Sequence, residues 1–385
     1  MRVVVAVDAF KGCLTSAEAG AAVCAGVLRA DPGADVRVVP VADGGEGTVD
    51  ALLAAGVGRR AAARVVDAIG GPVEAAYAVL NDGRTAVLEA ASCVGLAQVD
   101  VDAHLPPLAS SAGLGQLVRR AVEDGARRVV VALGGTACTD GGTGLLVALG
   151  ARVRDAGGAD VAASGGNPLW RFGTLDALPD LGDLELVVLT DVDSPLHGPE
   201  GAAHVFGPQK GATPEQVHHL DARLASWGAA LAAHGRPVAE LPGAGAAGGL
   251  GAALLALGAR REPGFEHVAR AVGLRDEVAG ADVVLTGEGR LDAQTARGKT
   301  PAGVAACARE AGAVVVALAG AVGPSGTSAE DDVPFDAVLP IHPCPMPLSV
   351  AMDPAVAAAG LAATAAQVIG LVRASRRLAP GGAAP

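Results

Sequence analysis

The chain has 385 residues, of which 51% are hydrophobic, 18% are charged and 2% are aromatic, and its formal net charge is −12. This composition provides a large aliphatic core and excludes global disorder, and the length predicts two or three domains. The negative charge, without aromatic stacking residues, argues against a nucleic-acid-binding protein. The six cysteines lack zinc-type spacing, so we expect reduced thiols that serve as small core residues.

Strands alternate with helices along most of the chain. Val3 to Val7 predicts a first buried strand, which is followed by a helix through about Arg29 with Ser16 as its N-cap. No signal peptide precedes this strand, so we expect a cytoplasmic location. Further strands are predicted at 36–39, 129–133, 186–189, 283–285, 314–318 and 337–339. The alternation is typical of a parallel α/β fold.

Residues 63–88 interrupt this pattern. Two apolar runs flank Gly70-Gly71-Pro72, and Asn81-Asp82-Gly83 introduces a third, which predicts a hairpin or meander. The parallel pattern resumes at Val283. We therefore predict a discontinuous Rossmann-like domain of residues 1–62 and 270–385, interrupted by an inserted α/β domain with a mixed sheet at 63–269.

The apolar run at 354–372 raises the question of a membrane span. It is rich in alanine and contains Thr364 and Gln367, so a buried helix is the better interpretation.

The stretch from Thr286 to Thr300 follows a predicted strand and places carboxylates and cations among glycines. Open α/β sheets bind ligands in loops at the carboxyl ends of their strands. The stretch offers two glycines for close backbone approach, two carboxylates for a divalent cation and two cations for phosphate, namely Gly287 and Gly289, Glu288 and Asp292, and Arg290 and Lys299. A solvated polar loop is the alternative.

Two nucleotide motifs are weak or absent. Gly298-Lys299-Thr300 lacks the first glycine of a P-loop, because position 293 is alanine. A dinucleotide fingerprint through Gly243, Gly245 and Gly248 is preceded by Leu241-Pro242, where a strand should lead into the turn. A nicotinamide-dependent dehydrogenase therefore stays a remote alternative, as does a non-catalytic two-domain binding protein.

Polar residues also gather after other predicted strands, in the loops Asp8–Gly12, Ala42–Thr48, Gly134–Gly142 and Thr190–Asp193. Each loop alone is commonly a capping or turn signature. Their joint position at the ends of strands in one sheet system favours a functional site.

In these motif loops the chain resembles the type I glycerate kinases, bacterial enzymes that phosphorylate D-glycerate with ATP. The resemblance covers residues 2–372 and rests on six ordered blocks, Asp8–Leu14, Asp43–Asp50, Leu133–Gly144, Asp191–Gly198, Val205–Pro214 and Thr286–Pro301. Residues at 9, 13, 136 and 139 depart from the family pattern. Ala9 and Thr139 remove possible hydrogen bonds, which bears on substrate preference and not on the class of reaction.

The resemblance implies two α/β domains, one inserted in the other, with the active site in the cleft between them. It implies ATP and Mg²⁺ as cofactors, and D-glycerate as the small-molecule substrate, with 2-phosphoglycerate as the product. Formation of 3-phosphoglycerate, or phosphorylation of another small hydroxy acid, is the alternative. No nucleic-acid or membrane partner is expected, and a monomer and a homodimer are both open.

Phosphoryl transfer needs cations and Mg²⁺ to hold phosphates, and a carboxylate to orient or deprotonate the attacking hydroxyl. With the resemblance, this predicts a catalytic group of Lys11, Asp43, Asp191 and Arg290. The predicted substrate and nucleotide group is Asp8, Gly44, Gly45, Glu46, Gly47, Thr48, Ser92, Gly135, Thr136, Asp140, Lys210, Gly287, Gly289 and Lys299. The predicted metal ligands are Asp193, Glu288 and Asp292. Sequence spacing leaves open which carboxylate is the base, and we expect Lys11, Asp43, Asp191, Glu288 and Lys299 to converge on one cleft.

Overall fold

The computed structural model describes residues 1–291, 300–323 and 334–378. The strands are β1 (Arg2–Val7), β2 (Asp35–Val38), β3 (Gly58–Val66), β4 (Pro72–Leu80), β5 (Thr85–Glu89), β6 (Arg128–Ala132), β7 (Arg152–Arg154), β8 (Thr174–Ala177), β9 (Glu185–Leu189), β10 (Arg260–Glu262), β11 (Val283–Leu291), β12 (Val314–Val322) and β13 (Ala337–Pro340). The helices are α1 (Ser16–Ala30), α2 (Thr48–Ala54), α3 (Ala91–Val94), α4 (Leu105–Leu108), α5 (Ala112–Glu123), α6 (Thr143–Ala148), α7 (Pro168–Arg171), α8 (Ala202–Phe206), α9 (Pro214–Ala233), α10 (Ala246–Ala256), α11 (Gly264–Ala271), α12 (Leu274–Val278), α13 (Thr300–Glu310), α14 (Leu348–Ala351) and α15 (Pro354–Leu378).

The chain forms two compact units. The first unit comprises Met1–Asp43, Asp50–Val57 and Phe265–Pro385, and the second comprises Gly44–Val49 and Gly58–Gly264. The short segment Gly44–Val49 thus belongs to the second unit although the first unit flanks it in sequence. The predicted domain boundaries near residues 62 and 270 stay a prediction.

The first unit is built on a parallel sheet with strand order β13-β12-β11-β1-β2. The predicted strands at 3–7 and 314–318 lie in this one sheet, as the discontinuous assignment requires. Val3, Val4 and Val5 are fully buried, because helices cover both faces of a parallel sheet. The α/β fold class is therefore confirmed.

Strand β11 is longer than the sequence pattern indicated. We predicted a strand at 283–285 and a loop from Thr286, and the loop assignment is wrong through Leu291, where β11 ends. The reason is pairing with the equally long β12, which continues to Leu291 opposite Val322. Gly287 fits this pairing, because a Cβ there would lie 2.0 Å from the carbonyl oxygen of Leu318.

The start of α1 also differs from the prediction. Thr15, not Ser16, is the N-cap, and it forms a capping box with Glu18. The hydroxyl of Ser16 is buried and donates to the carbonyl oxygen of Val7 at 2.7 Å, and it accepts from the amide of Val41 at 3.1 Å. Ser16 therefore links the end of β1 to the chain that follows β2.

The second unit is built on a mixed sheet with strand order β10-β9-β6-β5-β4-β3. Strands β10, β9, β6 and β5 are parallel, whereas β4 and β3 form the predicted antiparallel hairpin. Its core is aliphatic, with Tyr77 and Trp227 as the largest fully buried side chains. A separate two-stranded sheet pairs β7 with β8.

Within the described ranges, α15 is the one helix long and apolar enough to cross a membrane. Its inner face, which includes Leu361, Ala365 and Ile369, is buried in the core of the first unit, as the sequence predicted.

All six cysteines are free thiols. Cys93, Cys138 and Cys307 are buried, whereas Cys344 is exposed, so the expectation of a core role is wrong for Cys344.

Close packing of α1 on α15 predicts a stability difference between two helical glycines. A Cβ at Gly26 would lie 2.1 Å from the carbonyl oxygen of Ala362, whereas a Cβ at Gly370 would meet nothing within 4 Å. We expect Gly26→Ala to lower the free energy of unfolding by about 1–3 kcal/mol through overpacking. The control Gly370→Ala should raise it by about 0.5–1 kcal/mol through helix propensity. Urea denaturation measures both, and equal stability of the two variants would contradict the packing described here.

Candidate active site

Asp8 follows β1 directly and is a buried carboxyl at the carboxyl edge of the first sheet, where only 4% of the residue is exposed. Its Oδ1 accepts a hydrogen bond from the amide of Ala9 at 2.7 Å. Burial, and next the negative charge of Asp43, raise the pKa of Asp8 to about 7. Thr300, the Ala9 amide and Lys11 act in the opposite direction. Asp8 is thus able to gain or lose a proton near neutral pH.

Lys11 and Asp43 join Asp8 in the first unit. The Lys11 ammonium donates to Oδ2 of Asp43 at 3.1 Å, and the lysine side chain is 57% exposed. Such a partly exposed ion pair contributes little to stability, because solvent screens it. The lysine side chain is exposed enough for an anion to reach it from solvent, and the structure brings these three predicted residues together.

Buried hydroxyls occur in the same region of the first unit. Thr286 lies opposite Ala6 in the sheet, and Thr300 begins α13. The Oγ1 atoms of both are buried, and that of Thr286 has no hydrogen-bond partner among the described residues. A hydrogen bond from the Thr300 side chain lowers the pKa of the Asp8 carboxyl. Buried hydroxyls without partners are costly, so this region suits a ligand that supplies the missing interactions.

The remaining first-unit predictions lie on β11. Glu288 pairs with Ala319 and Arg290 with Ala321 across the β11–β12 pair, so both belong to a strand end and not to a loop. A Cβ at Gly289 would meet Phe10 at 3.6 Å, which is ordinary contact. Two further predictions, Asp292 and Lys299, lie outside the described residues.

In the second unit, the segment Gly44–Val49 lies against the carboxyl ends of the parallel strands. A Cβ at Gly44 would lie 2.4 Å from the Cα of Gly264 and 3.3 Å from the side chain of Leu189. A Cβ at Gly134 would lie 3.1 Å from the Cα of Gly45. A Cβ at Gly44 would overlap Gly264, which explains that glycine physically, whereas the space at Gly134 is tight.

Glu89, at the end of β5, holds the other end of this segment and was missed in the sequence analysis. Its Oε1 accepts a hydrogen bond from the amide of Val49 at 2.6 Å. A carboxylate directly after a buried strand, as in Asp8, was the signal that could have identified it.

Five further predicted residues lie within this segment or near it. Glu46 Oε2 is 3.6 Å from the position of a Cβ on Gly135, and the Ser92 hydroxyl donates to the carbonyl of Glu89 at 2.8 Å. Thr48 is fully buried, and its Oγ1 has no hydrogen-bond partner in the described part of the chain. Gly47 has a φ of 94°, a conformation that favours glycine.

Asp140 anchors the glycine-rich loop after β6. It is fully buried, and its carboxylate accepts hydrogen bonds from the Ser111 amide and hydroxyl and from the amides of Gly142 and Gly144, at 2.7–3.1 Å. Burial raises the pKa of Asp140, and these hydrogen bonds oppose the rise. Because the carboxylate already has four protein donors, it suits shaping of the loop.

Lys210 forms hydrogen bonds with the same loop. Its ammonium donates to the carbonyl oxygen of Cys138 at 2.6 Å and to Oγ1 of Thr136 at 3.3 Å. Burial lowers the pKa of Lys210, which is only 4% exposed. Lys210 and Asp140 are therefore placed to hold the backbone of this loop.

Asp191 and Asp193 follow β9 and differ in their surroundings. Asp191 Oδ1 accepts a hydrogen bond from the amide of Gly264 at 3.2 Å, next to Gly44. Asp193 forms an ion pair with Arg261 at 2.7 Å, and its side chain is 78% exposed. The guanidinium of Arg261 would compete with a metal ion for Asp193.

The glycines of the weak dinucleotide motif, Gly243, Gly245 and Gly248, do not follow a strand in the structure. Residues 190–259 are all described, and the segment before Gly243 contains no strand. A Cβ at Gly248 would lie 2.2 Å from the carbonyl oxygen of Cys138, and the amide of Gly141 donates to the carbonyl of Gly248 at 3.0 Å. Gly248 therefore serves packing against the loop after β6.

Within the ranges that the structure describes, no group of three or more His, Cys, Asp or Glu side chains is arranged to hold a metal ion. Mg²⁺ commonly uses only one or two carboxylates together with substrate phosphates. Asp43 and Glu288 offer carboxylate oxygens, and Thr286 and Thr300 offer buried hydroxyl oxygens. These are oxygen donors of the type that Mg²⁺ prefers. The residues present therefore fit this ion, while convergence of the predicted site on one cleft stays a prediction.

Comparison with known proteins identifies relatives along almost the whole chain. A glycerate kinase from Bacillus subtilis (strain 168) is 40% identical over 358 residues, which are 92% of this chain and 93% of that protein. A glycerate 2-kinase from Escherichia coli (strain K12) is 40% identical over 327 residues, which are 84% of this chain and 86% of that protein.

A crystal structure from Salmonella typhimurium LT2, provisionally described as glycerate kinase 2, matches with a TM-score of 0.82 and 38% identity. The match covers 98% of this chain and 99% of that one. The sequence model of the glycerate kinase family matches residues 3–373. The chain therefore belongs to the glycerate kinase family of enzymes.

Proposed function

We propose that the protein transfers the terminal phosphoryl group of ATP to D-glycerate in an Mg²⁺-dependent reaction, forming 2-phosphoglycerate and ADP. The observation that carries the proposal within this kinase family is the group formed by Asp8, Lys11 and Asp43. It combines a proton acceptor that titrates near neutral pH with a solvent-accessible cation, which are two of the parts that phosphoryl transfer requires. The name of the Escherichia coli relative, glycerate 2-kinase, supports transfer of the phosphoryl group to the 2-hydroxyl of glycerate.

The cations serve anion binding in this proposal. Lys11 binds phosphate or the glycerate carboxylate, because its ammonium is the exposed member of its ion pair. Arg290 lies at the carboxyl end of β11 and serves the same purpose. A role for Lys299 rests on the family resemblance alone.

Mg²⁺ would be held by Asp43 and Glu288, with the hydroxyls of Thr286 and Thr300 close to this part of the first unit. When bound, the ion neutralises charge on the phosphate oxygens. Asp193 and Asp292 stay predicted ligands, although Arg261 already neutralises Asp193.

Asp8 accepts the proton of the attacking hydroxyl in this scheme. A general base works best when its pKa lies near the operating pH, and burial together with Asp43 brings the pKa of Asp8 to about 7. Asp191 orients substrate or metal, held by its hydrogen bond from the Gly264 amide. Asp140 and Lys210 act on the reaction by fixing the glycine-rich loop, whose Gly135 has a φ of 63°.

The protein acts on small molecules, and we propose that it does so in the cytoplasm.

The first functional prediction concerns the reaction itself. Purified protein should release ADP from ATP when D-glycerate and Mg²⁺ are both present, and removal of Mg²⁺ with a chelator should abolish the release. Carbon-13 NMR of the product should show the phosphate on the 2-oxygen. A product phosphorylated on the 3-oxygen would correct the position of transfer, and no ADP release with any small hydroxy acid would overturn the proposal.

The second functional prediction concerns pH. If Asp8 is the base, kcat/KM should fall as the pH drops below about 7, because the carboxyl becomes protonated. Asp8→Asn should lower kcat by about 10²- to 10⁴-fold, the usual range for a general base. Asp43→Asn should shift the acid limb of the remaining activity to lower pH, because a neighbouring negative charge that raises the pKa of Asp8 is removed.

The stability of the unliganded protein gives an independent check of the same group. The pKa of Asp8 rises from 3.8 in the unfolded chain to about 7, so folding favours the protonated form. The stability contributed by this group is therefore present below pH 3.8 and is lost as the pH rises toward 7. Asp8→Asn should raise the melting temperature at pH 8 and change it little at pH 4. An unchanged pH profile of stability would contradict the buried, charged environment of Asp8.

The third functional prediction compares two neighbouring carboxylates. Asp191→Asn should lower kcat by about 10²-fold or more, the scale expected for an electrostatic or positioning group at the reaction centre. Asp193→Asn is the matched control, and its effect should be smaller because Arg261 already neutralises this exposed side chain. Steady-state kinetics, with folding checked by circular dichroism, distinguish the two. A larger loss in the Asp193 variant would reverse the assigned roles.

A further inference from the structure

The first unit contains a cavity of about 710 Å³, and of its lining residues the proposed function gives a role only to Lys11. It lies at the carboxyl ends of β11 and β12 and beside the chain that follows β13, which is the edge where open α/β sheets bind ligands. Its volume is within the range of small-molecule sites in proteins.

Two neighbouring glycines form part of this cavity. Gly289 on β11 and Gly320 on β12 lie between the cross-strand pairs Glu288–Ala319 and Arg290–Ala321. A Cβ at Gly320 would lie 2.5 Å from the carbonyl oxygen of Gly289, so the strand requires glycine there. Two adjacent positions without side chains expose flat peptide backbone, which suits contact with a planar ring.

The other walls are mainly apolar. Phe10, Ile341, Met346 and Met352 contribute hydrocarbon and thioether surface. Methionine adapts its shape to an aromatic ligand and makes favourable sulfur–ring contacts. Glycerate carries an oxygen on every carbon, and its polar groups would lose hydrogen bonds against such walls.

Two polar side chains line the same cavity. Nδ1 of His342 is buried and has no hydrogen-bond partner among the described residues. The imidazole ring of His342 is able to donate to or accept from the edge of a heterocyclic base, according to its tautomer. Lys11 contributes a cation, and its ammonium contacts Asp43. The cavity therefore offers an apolar interior, one imidazole side chain and one cation for phosphate.

We propose that this cavity binds the base and ribose of the nucleotide, with the phosphates directed to Lys11. The inference rests on the proposed function, because it takes the phosphoryl donor to be a nucleoside triphosphate. His342 contributes to the choice of base through its hydrogen bond, and the cavity does not bind glycerate.

The test fills the cavity and measures nucleotide binding directly. Ala321 lines the cavity and is exposed, so Ala321→Phe adds bulk there without entering the core. The matched control is Ala306→Phe, at an exposed position of α13 that does not line this cavity. Calorimetry should show ADP binding weakened at least about tenfold, which is about 1.4 kcal/mol, in Ala321→Phe and unchanged in Ala306→Phe.

Inorganic tripolyphosphate distinguishes the base from the phosphates. Its affinity should be the same in wild type and Ala321→Phe, because it uses Lys11 and not the cavity. His342→Ala should weaken ADP binding several-fold and reduce the preference between ADP and GDP, while the KM for glycerate stays within about twofold of wild type.

Each outcome separates the two proposals. Equal ADP affinity in Ala321→Phe and wild type, or a raised KM for glycerate with unchanged ADP binding, would overturn the nucleotide cavity. In another outcome, wild-type protein binds ADP in the cavity and yet forms no ADP from ATP when D-glycerate is present. That result would overturn the proposed reaction and leave the cavity assignment intact. Wild-type protein that binds no ADP would overturn the cavity assignment.

Discussion

The close approach of backbone segments at the carboxyl ends of parallel strands is the constraint on which both units depend. In the first unit, Gly287 allows β11 to lie against the carbonyl of Leu318. In the second unit, Gly44 approaches Gly264 at a distance that excludes a side chain, and Gly134 lies in tight contact with Gly45. Since these contacts occur where ligands bind in open α/β sheets, the same glycines that pack the fold also expose backbone groups there.

Buried polar groups divide into those that are satisfied and those that are not. Asp140 has four hydrogen-bond donors and Lys210 has two acceptors, so both groups are held within the protein. The hydroxyl of Thr286 lacks a partner among the described residues, and burial raises the pKa of the nearby Asp8 carboxyl. Satisfied groups fix geometry, whereas unsatisfied ones indicate where a ligand would be stabilised.

Hydrophobic patterning identified most strands, since β1 and the β3–β4 hairpin lie close to their predicted positions. The same patterning did not predict the full length of β11. The glycines and charged residues of β11 are typical of a loop, and they form a strand because β12 pairs with them. Sequence also located Lys11 and Asp43 but could not reveal their contact, which depends on chain folding over 32 positions. Glu89 follows the apolar run at Val87-Leu88, which is the same signal as in Asp8, and was missed all the same. His342 has no local sequence signature, because only its burial without a hydrogen-bond partner distinguishes its Nδ1.

The packing of α15 on α1 has a consequence for the order of folding during synthesis. Arg29 donates to the carbonyl of Ala362 at 3.0 Å across 333 positions, and β1 pairs with β11 from the distant part of the chain. The second unit, by contrast, is complete in sequence at Gly264. Because translation adds only about 5–20 residues each second, the second unit has several seconds to form while β1 still lacks β11 and α1 still lacks α15. Their apolar faces stay exposed on the ribosome during that interval, which makes the N-terminal segment the natural site for chaperone contact.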